Sequence, residues 1–235
     1  MLMKTALLLI LIQSVIAFPI NLPIFGVKSL VQGSDGVILS ESDHVPGEIE
    51  SASIARTLVF RESMVNVNTF KIVKKGEKSV KVPVSSMEYY VDCDNDGDFY
   101  WLVVDIGSSY QNILHGSEYS FTLRVGDHPV NEEVNPEYPG GMSTSPAGSP
   151  RINIQGKLED VSFETKKEQL KLEQCFLNRH PDAKYWIPGK SQSHNSHWMK
   201  LKVEDIYFIG GFGDRAYIGP IDSGIYHSVT SLDDH

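Results

Sequence analysis

The most chemically suggestive stretch of the sequence is the segment Asp92–Asp98, which carries aspartate at every second position and glycine at position 97. This spacing matches the first half of an EF-hand calcium loop, whose carboxylate oxygens suit Ca²⁺. An EF-hand also needs a glutamate at the twelfth position, which here is Val103. The residues that follow predict a strand instead of a helix, and aspartate–glycine turns are common between strands. The sequence therefore favours a structural turn, with weak calcium binding as the alternative.

Other residue types that could do chemistry lie in patterns that match no known centre. His180, His194 and His197 include potential metal ligands, but their spacing fits no tight metal motif, so no metal site is predicted. Cys93 is flanked by acidic residues, which oppose formation of a nucleophilic thiolate. The sequence contains no Gly-x-Ser-x-Gly, His-Glu-x-x-His or P-loop pattern. No catalytic residue is predicted.

The amino terminus has the pattern of a secretory signal peptide. Lys4 precedes the apolar run Ala6–Ile12, and Ala17 provides a small residue for cleavage. We expect residues 1–17 to be removed, the alternative being an uncleaved anchoring start, and the protein to be secreted or delivered to a vacuolar or lysosomal lumen. An oxidising compartment permits a disulfide, and the sequence leaves a Cys93–Cys175 bond and two separate buried thiols equally open.

Overall charge narrows the classes of partner. Lysine and arginine total 21 against 30 aspartates and glutamates, for a formal net charge of −9. An acidic surface repels phosphates, so no nucleic-acid partner is expected. No apolar run approaches the ~20 residues that span a bilayer, so no membrane span is predicted.

Alternating apolar and polar residues predict about seven or eight strands. The predicted strands are 64–69, 80–84, 99–104, 119–125, 152–154, 199–203 and 206–209, with a further β-rich stretch at Ser53–Phe60. Pro83 favours an edge strand or a strand end, and Phe99–Val104 is apolar enough to be buried on both faces. Thr165 and Glu168 have the spacing of a capping box that begins a helix, and a shorter helix is expected near Ser109–His115.

These elements predict one domain with an additional segment at each terminus. We expect a leader over 18–48, a β-barrel domain over 49–220 and a C-terminal tail over 221–235. A long loop, Asp127–Pro150, interrupts the domain and is rich in proline and glycine. Many strands with few helices favour a barrel or sandwich.

The C-terminal half carries motifs of a known family. Arg179-His180-Pro181-Asp182-x-Lys184-x-Trp186 is followed by Ser193-His194-Asn195, by Trp198 and by Lys200-Leu201-x-Val203-x-Asp205-Ile206-Tyr207. Arg56-Thr57-Leu58, Gly97-x-x-Tyr100, Asn112–Leu114 and Gly210-Gly211 fall in the expected order. Over Ile49–Gly219 the chain resembles the CREG family, which implies a mainly β fold: the FMN-binding type of split β-barrel with a few peripheral helices, related to the pyridoxamine 5'-phosphate oxidases.

The resemblance raises the question of a flavin. In flavin-binding split barrels, the segment after the central strand clamps the FMN phosphate, and burying a phosphate calls for arginine or lysine donors. The matching stretch here, Asp105–Asn112, offers the hydroxyls of Ser108 and Ser109 but no basic side chain. These serines are the candidate FMN ligands if FMN binds; otherwise we expect them to cap a helix. Arg56, Arg61 and Arg124 are predicted on strands, where each could reach the phosphate or lie in solvent.

The resemblance also implies a function. CREG proteins resemble split barrels that lost the cofactor site and act as non-enzymatic dimeric ligands or regulators. We therefore expect a homodimer with an unidentified protein or receptor partner, and Trp101, Trp198 and Tyr207 in its core or interface. The alternative is an FMN-dependent oxidoreductase of the pyridoxamine 5'-phosphate oxidase-like superfamily. The chain departs from the family in the insertion Ile187–Gln192, the loop Asp127–Pro150 and the absence of Asn-x-Ser/Thr sites.

Overall fold

Seven antiparallel strands form one sheet that closes on itself. The computed structural model describes residues 45–127, 145–190, 194–213 and 215–232. The strands are β1 (Met64–Lys75), β2 (Lys78–Val91), β3 (Phe99–Val104), β4 (Ser120–Arg124), β5 (Arg151–Asp160), β6 (Ser196–Ile209) and β7 (Ile218–Ile221). Their order is β3-β2-β1-β4-β5-β6-β7, and a further pairing of β3 with β6 closes the barrel.

Four helices surround this barrel. They are α1 (Glu48–Arg61), α2 (Ser108–Leu114), α3 (Lys166–Arg179) and α4 (Ser223–Ser228), with short 3₁₀ turns at Pro146–Gly148 and Pro181–Tyr185. The predicted capping box is confirmed: Thr165 accepts a hydrogen bond from the Glu168 backbone, and the Glu168 side chain accepts one from the Thr165 backbone. No helix in the described ranges is long and apolar enough to cross a bilayer.

The strand β6 pairs with different strands along its length. Its first half pairs with β3, from Val104↔Ser196 to Phe99↔Leu201, and its second half pairs with β7, from Ile206↔Ile221 to Ile209↔Ile218. The helices α1 and α4 contact each other, and their Leu58 and Tyr226 join the main hydrophobic cluster inside the barrel.

A second hydrophobic cluster lies on the outer face of β3. Phe176 of α3 and Ile187, just after the 3₁₀ turn Pro181–Tyr185, pack with Leu102 and Trp198. Because Trp101 and Val103 face the main cluster while Leu102 faces the second one, β3 is buried on both faces, as predicted.

The interpretation of Ser53–Phe60 as β-rich was wrong, because these residues lie inside α1. Its buried Ala52, Ala55, Leu58 and Val59 have the three- and four-residue spacing of a helix face, which the β-branched neighbours obscured. Consequently Arg56 and Arg61 lie on a helix and not on strands, whereas Arg124 is on β4 as predicted.

Two further boundaries differ from the predictions. The strands expected at 199–203 and 206–209 are one strand, β6, and the pattern breaks because its register with β5 shifts between Gln155 and Gly156. A Cβ at Gly156 would lie 1.9 Å from the Lys202 carbonyl oxygen, so only glycine permits this approach. The predicted tail contains α4, and Tyr226 is fully buried.

Other predictions from the sequence have mixed outcomes. β2 pairs with β3 only at Tyr90 and Val91, so Pro83 lies on a ribbon edge, as expected. Trp101 and Trp198 are core residues, whereas Tyr207 is half exposed. The signal peptide (1–17), residues 18–44 of the leader and residues 128–144 of the loop lie outside the described residues.

Candidate functional site

The segment matched to a phosphate clamp begins at the end of β3 and leads into α2. Gly107 is the N-cap residue of α2, and no side chain caps the helix, so the expected capping role of Ser108 and Ser109 was wrong. Ser108 is exposed, whereas Ser109 is 1% exposed and donates a hydrogen bond to Glu88 Oε1 at 3.2 Å. The tight turn that places Gly107 N within 2.7 Å of the Val104 carbonyl moves both serines inside the helix.

Acidic groups surround the start of α2. Glu88 on β2 is half-buried, and burial raises its pKa although the hydrogen bond from Ser109 lowers it. Asp105 lies two residues before Gly107, and its Oδ1 is 2.8 Å from His197 Nδ1. Tyr110 packs edge-on against the same histidine, with ring centroids 4.9 Å apart. The segment matched to a phosphate clamp thus has carboxylates beside it.

The three arginines considered as phosphate ligands have other roles. Arg56 is 2% exposed and donates to three backbone carbonyls, those of Asn95, Tyr226 and Val229. Arg124 forms an exposed ion pair with Asp127, with 3.0 Å between Nε and Oδ2. Arg61 is buried at the last turn of α1; burial raises the pKa of the neighbouring Glu62 to about 7, and the positive charge of Arg61 partly opposes that rise.

The aspartate-rich segment is a structural turn between β2 and β3, as favoured from the sequence. Asp92 accepts hydrogen bonds from the backbone N–H groups of Asp96 and Gly97. Lys200 Nζ lies 2.7 Å from Asp94 and 3.0 Å from Asp96. Burial alone would raise the pKa of Asp94, but the hydrogen bonds and charge of Lys200 and the Tyr100 hydroxyl lower it overall.

The last aspartate of the turn is held from two sides. Asp98 accepts hydrogen bonds from Lys202 Nζ and from the Val203 backbone, both at 2.9 Å, and its Oδ1 is 3.2 Å from His227 Nε2. These contacts attach the turn to β6 and α4. The positions that would face a cation are therefore filled by lysine ammonium groups and backbone donors.

The Arg-His-Pro-Asp motif is also structural. Arg179 donates to the carbonyls of Phe60 and Arg61 and so satisfies the C-terminal end of α1. His180 stacks on Tyr89 with 4.2 Å between ring centroids, and its Nε2 is 2.9 Å from the Tyr90 carbonyl oxygen. Its side chain therefore bonds to β2.

The histidines do not form a metal centre. His180 Nε2 is bonded to the Tyr90 carbonyl and His197 Nδ1 to Asp105. Within the ranges that the structure describes, no group of three or more histidine, cysteine, aspartate or glutamate side chains is placed to hold a metal ion.

Clefts indent the described surface, among them the following two. One of about 230 Å³ lies between the aspartate turn and the start of α3. The other, of about 360 Å³, is lined by Asn68, Phe70, Tyr119 and Gln155, among others, on the outer face of the sheet. Small-molecule sites occupy about 300–1,000 Å³, so the first cleft lies below this range and the second lies near its lower end. With no base at the start of α2, the described residues do not fit an FMN phosphate.

Sequence reasoning missed Glu88 and Arg179 as determinants of this region. Glu88 is 21 residues from Ser109 and Arg179 is 118 residues from Arg61. Neither pairing leaves a local pattern. The disulfide that the sequence left open is present: Cys93 and Cys175 are bonded, with their Cα atoms 6.0 Å apart.

Comparisons with known proteins agree with this architecture. A search of curated protein sequences found no significant match. Among solved structures, a heme binding protein from Mycobacterium smegmatis is similar with a TM-score of 0.53 and 19% identity, over 79% of this chain and 62% of that one. The chain thus spans less than two thirds of that protein.

Weaker similarities follow. A protein of unknown function from Agrobacterium tumefaciens has a TM-score of 0.48 and 15% identity, over 71% of this chain and 60% of that one. A putative pyridoxamine 5'-phosphate oxidase from Listeria innocua has a TM-score of 0.38 and 13% identity, over 70% of this chain and 98% of that one.

A family model described as "CREG, beta-barrel" matches residues 46–228, from the start of α1 to the end of α4. This range covers the closed sheet, the aspartate turn, the Arg-His-Pro-Asp motif and α4, which are the features that define the fold. The chain is a split β-barrel and belongs to the CREG β-barrel family.

Proposed function

We propose that this chain is a non-catalytic binding or regulatory protein of the secretory or endolysosomal route, and that it acts as a homodimer. The observation that carries the non-catalytic part is the contact between Ser109 and Glu88 at the start of α2. A carboxylate occupies the surroundings in which a flavin-binding split barrel needs a cation.

Electrostatics support this reading. A phosphate monoester carries about −1.5 to −2 charges at neutral pH. Glu88 and Asp105 both lie near the start of α2, where the repulsion between like charges disfavours a bound phosphate. Arg56, the most buried of the candidate arginines, already donates to three carbonyls.

The name of the Mycobacterium smegmatis protein raises heme as another possibility. An axial ligand would need an available imidazole nitrogen facing a large apolar cavity. His180 packs between Phe176 and Tyr89, with its Nε2 on the Tyr90 carbonyl. His197 Nδ1 lies 2.8 Å from Asp105 Oδ1, whereas its buried Nε2 has no hydrogen-bond partner among the described residues and lies 3.9 Å from Asp160. These contacts favour a structural role for His180.

The outer face of the β1–β2 ribbon supports the dimer. Past Asn68, β1 pairs only with β2 in the described residues, and a two-stranded ribbon is marginal alone. Phe70, Ile72 and Met87 are exposed on this ribbon. A second copy that covers these side chains would remove apolar surface from water. The signal-peptide pattern of residues 1–17 supports the secretory route.

The test is the absorbance spectrum of the full-length mature protein, followed by titration with FMN. We expect a colourless protein that does not quench FMN fluorescence, for wild type and for Ser109→Ala alike. A stoichiometric yellow chromophore released by heat and identified as FMN by mass would overturn the proposal in favour of the oxidoreductase. Light scattering tests the dimer separately, and amino-terminal sequencing of secreted protein tests the cleavage after Ala17.

A further inference from the structure

One cleft of the molecule is lined by a residue of the disulfide. Cys93, which is bonded to Cys175, lines the cleft of about 230 Å³ together with Asp94, Tyr100, Phe163 and Lys171. Both cysteines are only half-buried. The sequence has two cysteines, so this bond is the chain's single disulfide and leaves no free thiol.

The two sulfurs are not equivalent. Of the two cysteines, Cys93 lines the cleft and Cys175 does not. Both cysteines pack against the cluster that contains Phe176 and Trp198, so the difference between them is the contact of Cys93 with the cleft. Thiol–disulfide exchange depends on which sulfur can be reached and on how well the other one leaves. Access from the cleft therefore favours attack at Cys93.

The charge near Cys175 also favours attack at Cys93, with Cys175 as the leaving group. Lys171 also lines the cleft, and it lies one helical turn before Cys175 on α3, where side chains four residues apart are neighbours. A nearby cation lowers the pKa of a thiol and makes it a better leaving group. Cys93 is flanked in sequence by Asp92 and Asp94, but Lys200 Nζ lies 2.7 Å from Asp94, so the difference in charge between the two sulfurs rests on Lys171.

We propose that this cleft is a thiol-exchange site, at which a small aminothiol modifies Cys93 reversibly. The aminothiol's thiolate attacks Cys93 Sγ and forms a new S–S bond there. The Cys93–Cys175 bond breaks and its electron pair leaves as the Cys175 thiolate beside Lys171. No net oxidation occurs, because one disulfide replaces another. A return attack by the Cys175 thiolate on Cys93 expels the aminothiol and restores the original bond.

The preference for an aminothiol follows from size and charge. The cleft volume suits a molecule of a few heavy atoms. Asp94 and Glu168 line it against one lysine, and the chain carries a formal charge of −9. A cationic reagent such as cysteamine is attracted to this surface, whereas glutathione is larger and anionic. This inference does not depend on dimerisation or on the absence of FMN.

The experiment treats the folded full-length protein with cysteamine or glutathione at equal thiolate concentration. Free thiols are then alkylated and peptides are mapped by mass spectrometry. We expect the cysteamine adduct on Cys93 and the alkyl group on Cys175, with glutathione slower. Lys171→Gln should slow exchange about two- to fivefold, the range expected for one partly solvated charge. Lys166→Gln, which removes the same charge from another face of α3, should leave the rate unchanged.

Three results would overturn the proposal. An adduct mainly on Cys175 would reverse the assignment of the two sulfurs. Equal rates for the Lys171 and Lys166 variants would remove the role of the cation. Exchange that occurs only where circular dichroism shows unfolding would mean that the cleft does not admit a thiol.

Discussion

The buried guanidinium of Arg56 offers the sharpest test of whether charged residues here serve the fold or a cofactor. Its Nη1 donates to the carbonyls of Val229 at 2.7 Å and Tyr226 at 3.3 Å, and its Nη2 donates to that of Asn95 at 2.5 Å. One side chain on α1 thus joins the aspartate turn to the segment that includes α4. Replacement by methionine keeps an unbranched apolar stem but removes all three donors.

The expected cost follows from these contacts. Hydrogen bonds to a charged group contribute about 1.5–3 kcal/mol each, and a carbonyl left without its donor loses further free energy. Burying the guanidinium has a desolvation cost that the variant avoids. Balancing these, we expect Arg56→Met to lower the free energy of unfolding by about 3–5 kcal/mol.

The control is Arg124→Met, which removes an arginine whose side chain is 63% exposed and paired with Asp127. Exposed ion pairs contribute about 0–1 kcal/mol, so this variant should stay close to wild type. Both are measured by urea unfolding followed by tryptophan fluorescence, at one protein concentration so that any self-association affects both variants equally. If Arg56→Met costs no more than Arg124→Met, the structural role is refuted, and a ligand-binding role becomes the better account.

Two further predictions concern the disulfide and pH. Replacing Cys93 and Cys175 together by serine should lower stability by up to about 4.5 kcal/mol, the loop-entropy value for a separation of 82 residues, measured by the same unfolding assay; a cost below about 1 kcal/mol would contradict it. Burial raises the pKa of Glu62 from 4.5 to about 7. The folded state favours protonated Glu62. The contribution of Glu62 to the free energy of unfolding is therefore fully present below pH 4.5 and is lost as pH rises through about 7. Burial lowers the pKa of His180, so the folded state favours the neutral imidazole. Through this group the free energy of unfolding decreases as pH falls below 6.5. Thermal melts at pH 5 and pH 8 should therefore show Glu62→Gln gaining stability relative to wild type at pH 8, and an equal difference at both pH values would disprove the assignment.

Elements with a strong local pattern could be predicted from the sequence. The capping box at Thr165 begins α3, and the apolar run at Phe99–Val104 becomes a strand buried on both faces. The missing twelfth ligand at Val103 correctly favoured a turn over an EF-hand. In each case the pattern that predicts the element lies within about a dozen consecutive residues, so the sequence alone is sufficient to predict it.

Features built from distant residues could not be predicted in the same way. The carbonyls bound by Arg56 lie 39, 170 and 173 residues away, and the carboxylate that holds Ser109 lies 21 residues away on another strand. The helix α1 was missed because β-branched residues mask the helical spacing of its buried face. These groups come together only when the barrel closes, and no spacing of nearby residues in the sequence predicts that contact.

The distribution of these long-range contacts shows that the motif residues serve the fold. Arg179 satisfies the end of α1, His180 joins α3 to β2, and Asp98 ties the turn to β6 and α4. Each motif residue closes a junction between elements that are far apart in sequence. Selection for a stable split barrel would preserve such residues whether or not a flavin binds. The Arg-His-Pro-Asp signature therefore reports the fold, and the function must be sought where the chain leaves reactive or exposed groups, at the disulfide-lined cleft and on the apolar ribbon.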